Sequence, residues 1–337
     1  MKILITGAAG GIGSTLGYHL YKNGHELILV DNLRNGYIEN LTVDGETFGK
    51  FHKIDINSDD FHSLVLSEIP DSIVHLAAIT SLPDCEVNYR ECIRVNVEGT
   101  ASVIGAARKA GVKNIIFGST SAVYENSQLD EISGFSETDH VSPRLFYSLS
   151  KKMCEDICQS FIENYGMNIL ILRFFNVFGP NQDIHRKSPP LINYIVREIR
   201  HGRSPILHSN GEQSRDYVHI DDVVSMIEKC IKLDRFEYNT FNVSSKSLTT
   251  VRDIVNSIKG GIPECSQIKE IYRDSDKLWD AYPDLFDGKF PLKKEIVEKE
   301  TNKKSLGNNY LAGKFIGWIP KSNIKELIKM ISPKIKI

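Results

Sequence analysis

Apolar and polar positions along the chain repeat as short buried runs followed by helical spacing. Lys2 to Thr6 is an apolar run with no polar face, which predicts a strand covered on both sides. Gly7 ends it, and Gly10, Gly11 and Gly13 follow. Leu16 and Leu20 then fall at helical spacing up to Asn23-Gly24, predicting a helix with a C-terminal glycine stop. Residues 26 to 30 form a second apolar run, with Asp31 at its carboxyl end. The pattern recurs. Residues 50 to 54 read as a strand leading to Asp55-Ile56, and Ser58-Asp59-Asp60 caps the next helix. Ile73 to Ala78 is a fourth strand, 85 to 110 a long helical stretch interrupted at Gly99, and Lys113 to Phe117 a fifth strand. Residues 125 to 144, rich in Ser, Pro and acids, read as an irregular loop, and a helix runs from Tyr147 to about Tyr165. Such alternation predicts an α/β fold built on a doubly wound parallel sheet.

Further along, 188–201 and 220–233 read as helices, 240–243 as a strand, and 249–258 as a helix opened by Thr249. These are expected to form a smaller α/β substrate lobe over the carboxyl end of the sheet. The expected division is 1–175 for the first domain and 176–337 mainly for the lobe, with the chain crossing back. Residues 260–315 carry no readable period.

The strand ends hold the candidate chemistry. In the spacing TGxxGxxG, from Thr6 to Gly13, Gly7 permits a tight turn and Gly10 lets backbone N–H groups approach a diphosphate. Gly13 lets helix and strand pack closely, which makes the opening unit a Rossmann-type dinucleotide site. Asp31 falls where a carboxylate accepts hydrogen bonds from an adenosine ribose. Arg34 suits a 2′-phosphate, but the charge of Asp31 repels one, so NAD is expected rather than NADP. Ser119 and Thr120 lie at the carboxyl end of the fifth strand. Tyr147 and Lys151, four apart on one helix face, put a phenol and an ammonium into one site. His75 reads as a packed core histidine. Asn96 sits mid-helix, where it is a poor helix former, so its amide turns either to solvent or to the cofactor site.

Composition narrows the picture. With 41% hydrophobic and 25% charged residues and a net charge of −2, nothing suggests a nucleic-acid surface. The six cysteines contain no CxxC pair, so reduced thiols and no metal site are expected. No apolar stretch is long enough to span a bilayer, and a cytoplasmic protein is expected.

Taken in chain order, the motifs are TGAAGGIG at 6–13, Asp31-Asn32-Leu33, Asp55-Ile56, HLAA at 75–78 and NVEGT at 96–100. They continue with STSAVY at 119–124, YSLSK at 147–151, LRFFNVFGP at 172–180 and RDYVHIDDV at 215–223. The chain resembles the extended short-chain dehydrogenase/reductases that act on nucleotide sugars, and within them the UDP-glucose/UDP-galactose 4-epimerase group. The resemblance implies that Gly7, Gly10, Gly11, Ile12 and Gly13 cradle the diphosphate of NAD. It places Asp31, Asn32 and Arg34 at the adenosine ribose and Asp55 and Ile56 at the adenine. Leu76, Ala77, Ala78, Asn96 and Phe175 line the path to the nicotinamide. Thr120, Tyr147 and Lys151 carry over as catalytic hydroxyl, base, and the lysine that binds the nicotinamide ribose and lowers the tyrosine's pKa. Asn176 and Arg215 match positions that bind the diphosphate of a UDP-, GDP- or CDP-linked sugar.

Related 4,6-dehydratases carry Asp-Glu after the active-site Thr, and UDP-glucuronate decarboxylases a Glu at the second place. Here these are Ser121 and Ala122. The resemblance therefore implies 4-epimerisation, with C4 oxidation or ketone reduction as the alternative. Dinucleotide sensors of this fold typically lose the Tyr or Lys of YxxxK, which this chain keeps. Two features depart from the family. No arginine follows Arg273, leaving Lys303 or Lys304 as a substitute, and Ser244 replaces the usual glycine. The helices at 85–110 and 145–165 correspond to those that pair in family homodimers, so a homodimer is expected.

Overall fold

The computed structural model describes residues 1–323, 325, 326 and 328; residues 329–337 of the expected lobe lie outside them. Its main sheet holds β1 (Lys2–Thr6), β2 (Glu26–Asp31), β3 (Lys50–Lys53), β4 (Ser72–His75), β5 (Asn114–Thr120), β6 (Asn168–Phe174) and β7 (Thr240–Val243). All pairs are parallel, in the order β7-β6-β5-β4-β1-β2-β3. This is the doubly wound Rossmann-type sheet. The winding reverses between β1 and β4, where Thr6 pairs with His75, so the crevice for a ligand opens beyond those two strands.

Helices cover both faces. On one side lie α1 (Gly11–Lys22) and α5 (Ile220–Ile231), whose Leu16, Leu20, Met226 and Ile227 pack on Ile3, Ile5 and Val74. On the other lie α2 (Asp59–Glu68), α3 (Gly99–Ala110) and α4 (Phe146–Tyr165), which bury Phe61, Val103, Ile104 and Cys154 against Leu4, Ile73 and Ile115. Because both faces are covered, the strands carry unbroken apolar runs. Ser58 caps α2 as expected, accepting from the Phe61 N–H at 3.3 Å.

Several boundaries differ from the sequence reading, each for a local reason. Strand β4 stops at His75 rather than Ala78, because the Thr6 hydroxyl oxygen lies 3.2 and 3.3 Å from the N–H groups of Leu76 and Ala77 and turns the chain out of the ladder. The stretch 85–110 breaks at Asn88, not at Gly99. The Asn88 side chain opens a new short helix, Tyr89–Ile93, and a wide turn over Arg94–Glu98 precedes α3. Gly99 is there for closeness: a Cβ would lie 2.5 Å from Ile56 Cδ1.

The stretches 220–233 and 240–243 do not join the lobe. They are α5 and β7, a helix layer and an edge strand of the main sheet. Trp318 secures this return: it is buried against α5, and its indole N–H donates to the Asp222 carbonyl at 3.0 Å. The lobe is built on a three-stranded sheet of Leu248–Thr250, Ser214–His219 and Asn176–Phe178, with a parallel pair, Ile206–His208 and Ile271–Arg273, beside it. Helices Leu191–Arg200 and Val251–Gly261 share an apolar core with it. Thr250 rather than Thr249 opens the second of these, in a reciprocal cap with Asp253; Thr249 is paired with Arg215 in the sheet. The unread stretch 260–315 supplies a helix, Lys294–Asn302, and an apolar cluster of Trp279, Tyr282, Leu285 and Val297 that also takes in Leu145. Among the described residues no helix is long and apolar enough to cross a membrane. All six cysteines are free thiols.

Candidate active site

The carboxyl ends of the strands converge on two clefts of about 490 and 180 Å³ that share Thr80, Thr120, Tyr147, Phe175 and Asn176 as walls. The larger runs from Asp31 to Tyr147. It is lined by Gly7, Gly10, Gly11, Ile12, Gly13, Asn32, Arg34, Asp55, Ile56, Leu76, Ala77, Ala78 and Lys151. Arg215 lines the smaller one, with Ser121, Ala122, Glu300, Lys303 and Ser305.

The dinucleotide end is built by close backbone packing. Gly7 has φ +69°, and a Cβ on it would lie 2.7 Å from the Ala77 nitrogen; one on Gly13 would lie 2.2 Å from the Gly7 carbonyl oxygen. Helix α1 therefore starts directly beneath the strand. No side chain caps it and no acid lies in its first turn, so the N–H groups of Gly11, Ile12 and Gly13 are left to bind an anion. The Asp31 carboxylate accepts from Ala9 N at 3.0 Å and Leu33 N at 2.8 Å, one bond to each oxygen. Each oxygen keeps a lone pair for a ribose hydroxyl. Burial raises the pKa of Asp31, and those two N–H groups pull it back. Arg34, on the wall of the same cleft, is already paired with Glu91 at 2.6 Å, which also binds Arg94. These features fit NAD.

Asn96 turns neither to solvent nor into the cleft. It is buried behind the wall, its amide accepting from Ile79 N at 2.8 Å and donating to Ile79 O and Ser150 Oγ. It holds the segment after β4 against α4. His75 is a core histidine, bonded to the hydroxyls of Thr6 and Thr100, and burial lowers its pKa to about 3.

At the other end, Tyr147 and Lys151 share the inner face of α4. Burial pushes the Tyr147 phenol up to about 12, opposed by the Thr120 hydroxyl and by the charge of Arg186. The resemblance gives the lowering role to Lys151. Here Lys151 sits over the Phe117 ring at 4.2 Å, and burial lowers its own pKa. Thr120 and Arg186 both favour the phenolate. Behind Thr120, Ser119 donates to Glu155 at 2.6 Å, and Glu155 holds Arg173 in a two-point ion pair.

Beside Ser121 and Ala122, Asn176 donates to the Asp216 carbonyl at 2.9 Å, and Arg215 to the Glu300 carbonyl at 2.6 Å. Lys303 lines this cleft, while Lys304 faces outward to Glu131. Asp216, inside the RDYVHIDDV motif, is fully buried and clasps the N–H groups of Ser245, Lys246 and Gly307, fixing the strand that carries Arg215. Sequence reasoning missed Arg186, Gln182 and Glu300. Gln182 and Arg186 lie in an irregular loop, and Glu300 in the helix Lys294–Asn302 within the stretch that carried no readable period in the sequence, so no spacing marked them as facing a cleft.

Residues 3–244 match the NAD dependent epimerase/dehydratase family. A UDP-glucose 4-epimerase of Mycolicibacterium smegmatis is 31% identical over 78% of this chain and 83% of its own. UDP-glucuronic acid decarboxylase 1 of Xenopus tropicalis is 27% identical over 88% of this chain and 68% of its own. The UDP-glucose 4-epimerase of Thermotoga maritima, solved with UDP-glucose, superposes with a TM-score of 0.84 over 99% of this chain and 98% of that one, at 27% identity. Glycine turn, the acid at the end of β2 and the Tyr-Lys helix thus stand in one cleft of a fold shared over nearly the whole chain with such a protein, and the chain belongs to the NAD-dependent epimerase/dehydratase family, as an enzyme whose cofactor is NAD.

Proposed function

We propose that the protein is a nucleotide-sugar 4-epimerase working through a transient 4-keto sugar. The observation that carries this reading is the makeup of the wall where the clefts meet. Thr120 and Tyr147 on that wall, with Lys151 on the larger cleft's side, supply proton-handling groups, and Ser121 and Ala122 on the smaller cleft's side supply no carboxylate for elimination or decarboxylation. UDP is the nucleotide we favour, as in the Thermotoga complex.

In this reading the substrate diphosphate lies against Asn176, Arg215 and Lys303, which anchors the sugar by its nucleotide alone. The phenolate of Tyr147, with Thr120 as its hydrogen-bond partner, takes the proton of the C4 hydroxyl. NAD⁺, when bound, supplies the hydride acceptor and a positive charge beside the phenol. Lys151 holds the nicotinamide ribose, and the small side chains at 121 and 122 leave room for the 4-keto ring to turn over. Tyr147 then returns the proton to the new alkoxide. Replacing Tyr147 by Phe is expected to abolish turnover while the purified protein keeps its NAD. A variant with most of its activity would remove Tyr147 as the base.

The homodimer remains part of the proposal. Leu149 and Met153 on α4 are 37% and 39% exposed, an apolar strip suited to pairing with a second copy. Light scattering that gives one chain's mass at working concentration would count against it.

A further inference from the structure

A loop from the lobe crosses the crevice at the carboxyl ends of β1, β2 and β4. Residues 179–190 join the strand Asn176–Phe178 to the helix Leu191–Arg200, and the middle of this loop touches the first domain beyond each of those three strands. Beyond β1, Asn181 Nδ2 donates to Ser14 Oγ at 3.2 Å, and a Cβ on Gly11 would lie 3.4 Å from the Asn181 carbonyl oxygen. Beyond β2, Tyr37 OH donates to Asp183 Oδ1 at 2.9 Å. Beyond β4, Arg186 Nη1 donates to Thr80 Oγ1 at 3.4 Å. Gln182, Asp183 and Arg186 line the larger cleft together with the glycine turn and Asp31.

The loop is braced on the lobe side. Ile184 is buried and its carbonyl accepts from the Arg197 guanidinium, and Arg186 Nε donates to the Ser188 carbonyl at 2.6 Å. Asp183 Oδ1 also accepts from the backbone N–H groups of His185 and Arg186, at 3.0 and 3.2 Å, which fixes where its carboxylate points. The bonds to the first domain are of another kind. They are polar, and the one at the rim is wet, since Tyr37 is 40% exposed. A bond of that sort opens more readily than the packing behind it.

We infer that residues 181–186 are a strap across the bound cofactor, latched by Tyr37 and Asp183, and that NAD enters and leaves as this latch opens. Gly11, whose N–H is one of the groups left to bind an anion, lies against Asn181, so a diphosphate held at the start of α1 is under the strap. The inference takes the larger cleft as the seat of NAD. It is independent of the reaction proposed above, because its readout is cofactor exchange rather than turnover.

Tyr37→Phe removes the phenol oxygen and keeps the ring, which stands edge-on to His185 at 6.3 Å. Protein is loaded with NAD⁺ deuterated in the nicotinamide ring and chased with excess unlabelled NAD⁺, and mass spectrometry of the gel-filtered protein follows the loss of label. Equilibrium dialysis against the same labelled NAD⁺ gives the affinity. Exchange should be about tenfold faster in Tyr37→Phe, a low value for a bond to a charged group because the phenol is partly in water. Affinity should stay within about twofold, because both partners of the latch are protein groups and its loss eases entry and exit alike. Asp183→Asn, which keeps an acceptor oxygen and loses the charge, should fall between wild type and Tyr37→Phe. Equal exchange rates in wild type and Tyr37→Phe would overturn the inference. Faster exchange matched by an equal loss of affinity would overturn it too, by making the Tyr37 hydroxyl a direct contact of the cofactor. Either failure leaves the epimerase reading where its own test puts it.

Discussion

Removing one partner of the Glu155–Arg173 pair should destabilise the protein more than removing both. The two side chains are 5% and 6% exposed, and Arg173 Nε and Nη2 donate to the two Glu155 oxygens at 2.9 and 2.7 Å. Ser119 adds a bond to the same carboxylate, and Arg173 Nη1 donates to the Tyr124 hydroxyl at 2.7 Å. Glu155→Gln leaves the guanidinium buried without a counter-charge, which costs about 3–5 kcal/mol. For 337 residues the unfolding entropy near the midpoint is about 0.7 kcal/mol/K, so Tm should fall by about 4–7 °C. Arg173→Met should act similarly. The double variant Glu155→Leu/Arg173→Met replaces the ions by apolar side chains of comparable volume and should lose less than either single change. Scanning calorimetry at fixed saturating NAD reads all three. Additive losses in the double variant, or a single-variant loss under about 1 kcal/mol, would refute the reasoning.

Three further outcomes follow from the site. Gly13→Ala puts a Cβ 2.2 Å from the Gly7 carbonyl oxygen, so the protein should purify without NAD or fail to fold; NAD retention would show that the turn yields. Thr120→Val removes a group that favours the Tyr147 phenolate, whose pKa burial already sets at about 12. Since the active base is the deprotonated form, the rising limb of kcat/KM against pH should move to higher pH, and an unmoved limb would remove Thr120 from the proton path. Asp216, raised by burial to about 6, is charged at a cost in the folded state. Its contribution to stability should be complete below about pH 4 and fall as pH rises through 6, so Asp216→Ala should flatten that part of the stability profile.

Much of the first domain was legible because its signals are local. The runs at 2–6 and 26–30 are buried, and Gly7 and Gly13 between them leave no room for a Cβ beside the neighbouring backbone. The Tyr147-Lys151 pair was legible because helix geometry alone puts both on one face. What escaped depended on distant partners. Phe241 and Val243 read as any short strand, and only pairing with Leu172 and Phe174 shows that the chain returns to the main sheet. Asn96 was readable as an amide needing a partner, but that partner, the Ile79 backbone, is fixed by a turn after β4 that carries no pattern. Arg186 lies in an irregular loop, and Glu300 in a short, charge-rich helix whose buried side is set by distant partners, so nothing in their spacing distinguishes a cleft from solvent.

The central claim is that the hydride leaves C4 and returns to it within one cleft. Its most direct test is mass spectrometry of the gently denatured protein for co-purified cofactor, followed by incubation with UDP-glucose and UDP-glucuronic acid in deuterated water without added NAD. The expected result is released NAD together with an isomer of the supplied sugar nucleotide at unchanged mass. A product lighter by two hydrogens, formed only when NAD⁺ is added to protein that carries none, would contradict epimerisation and make the enzyme a C4 dehydrogenase.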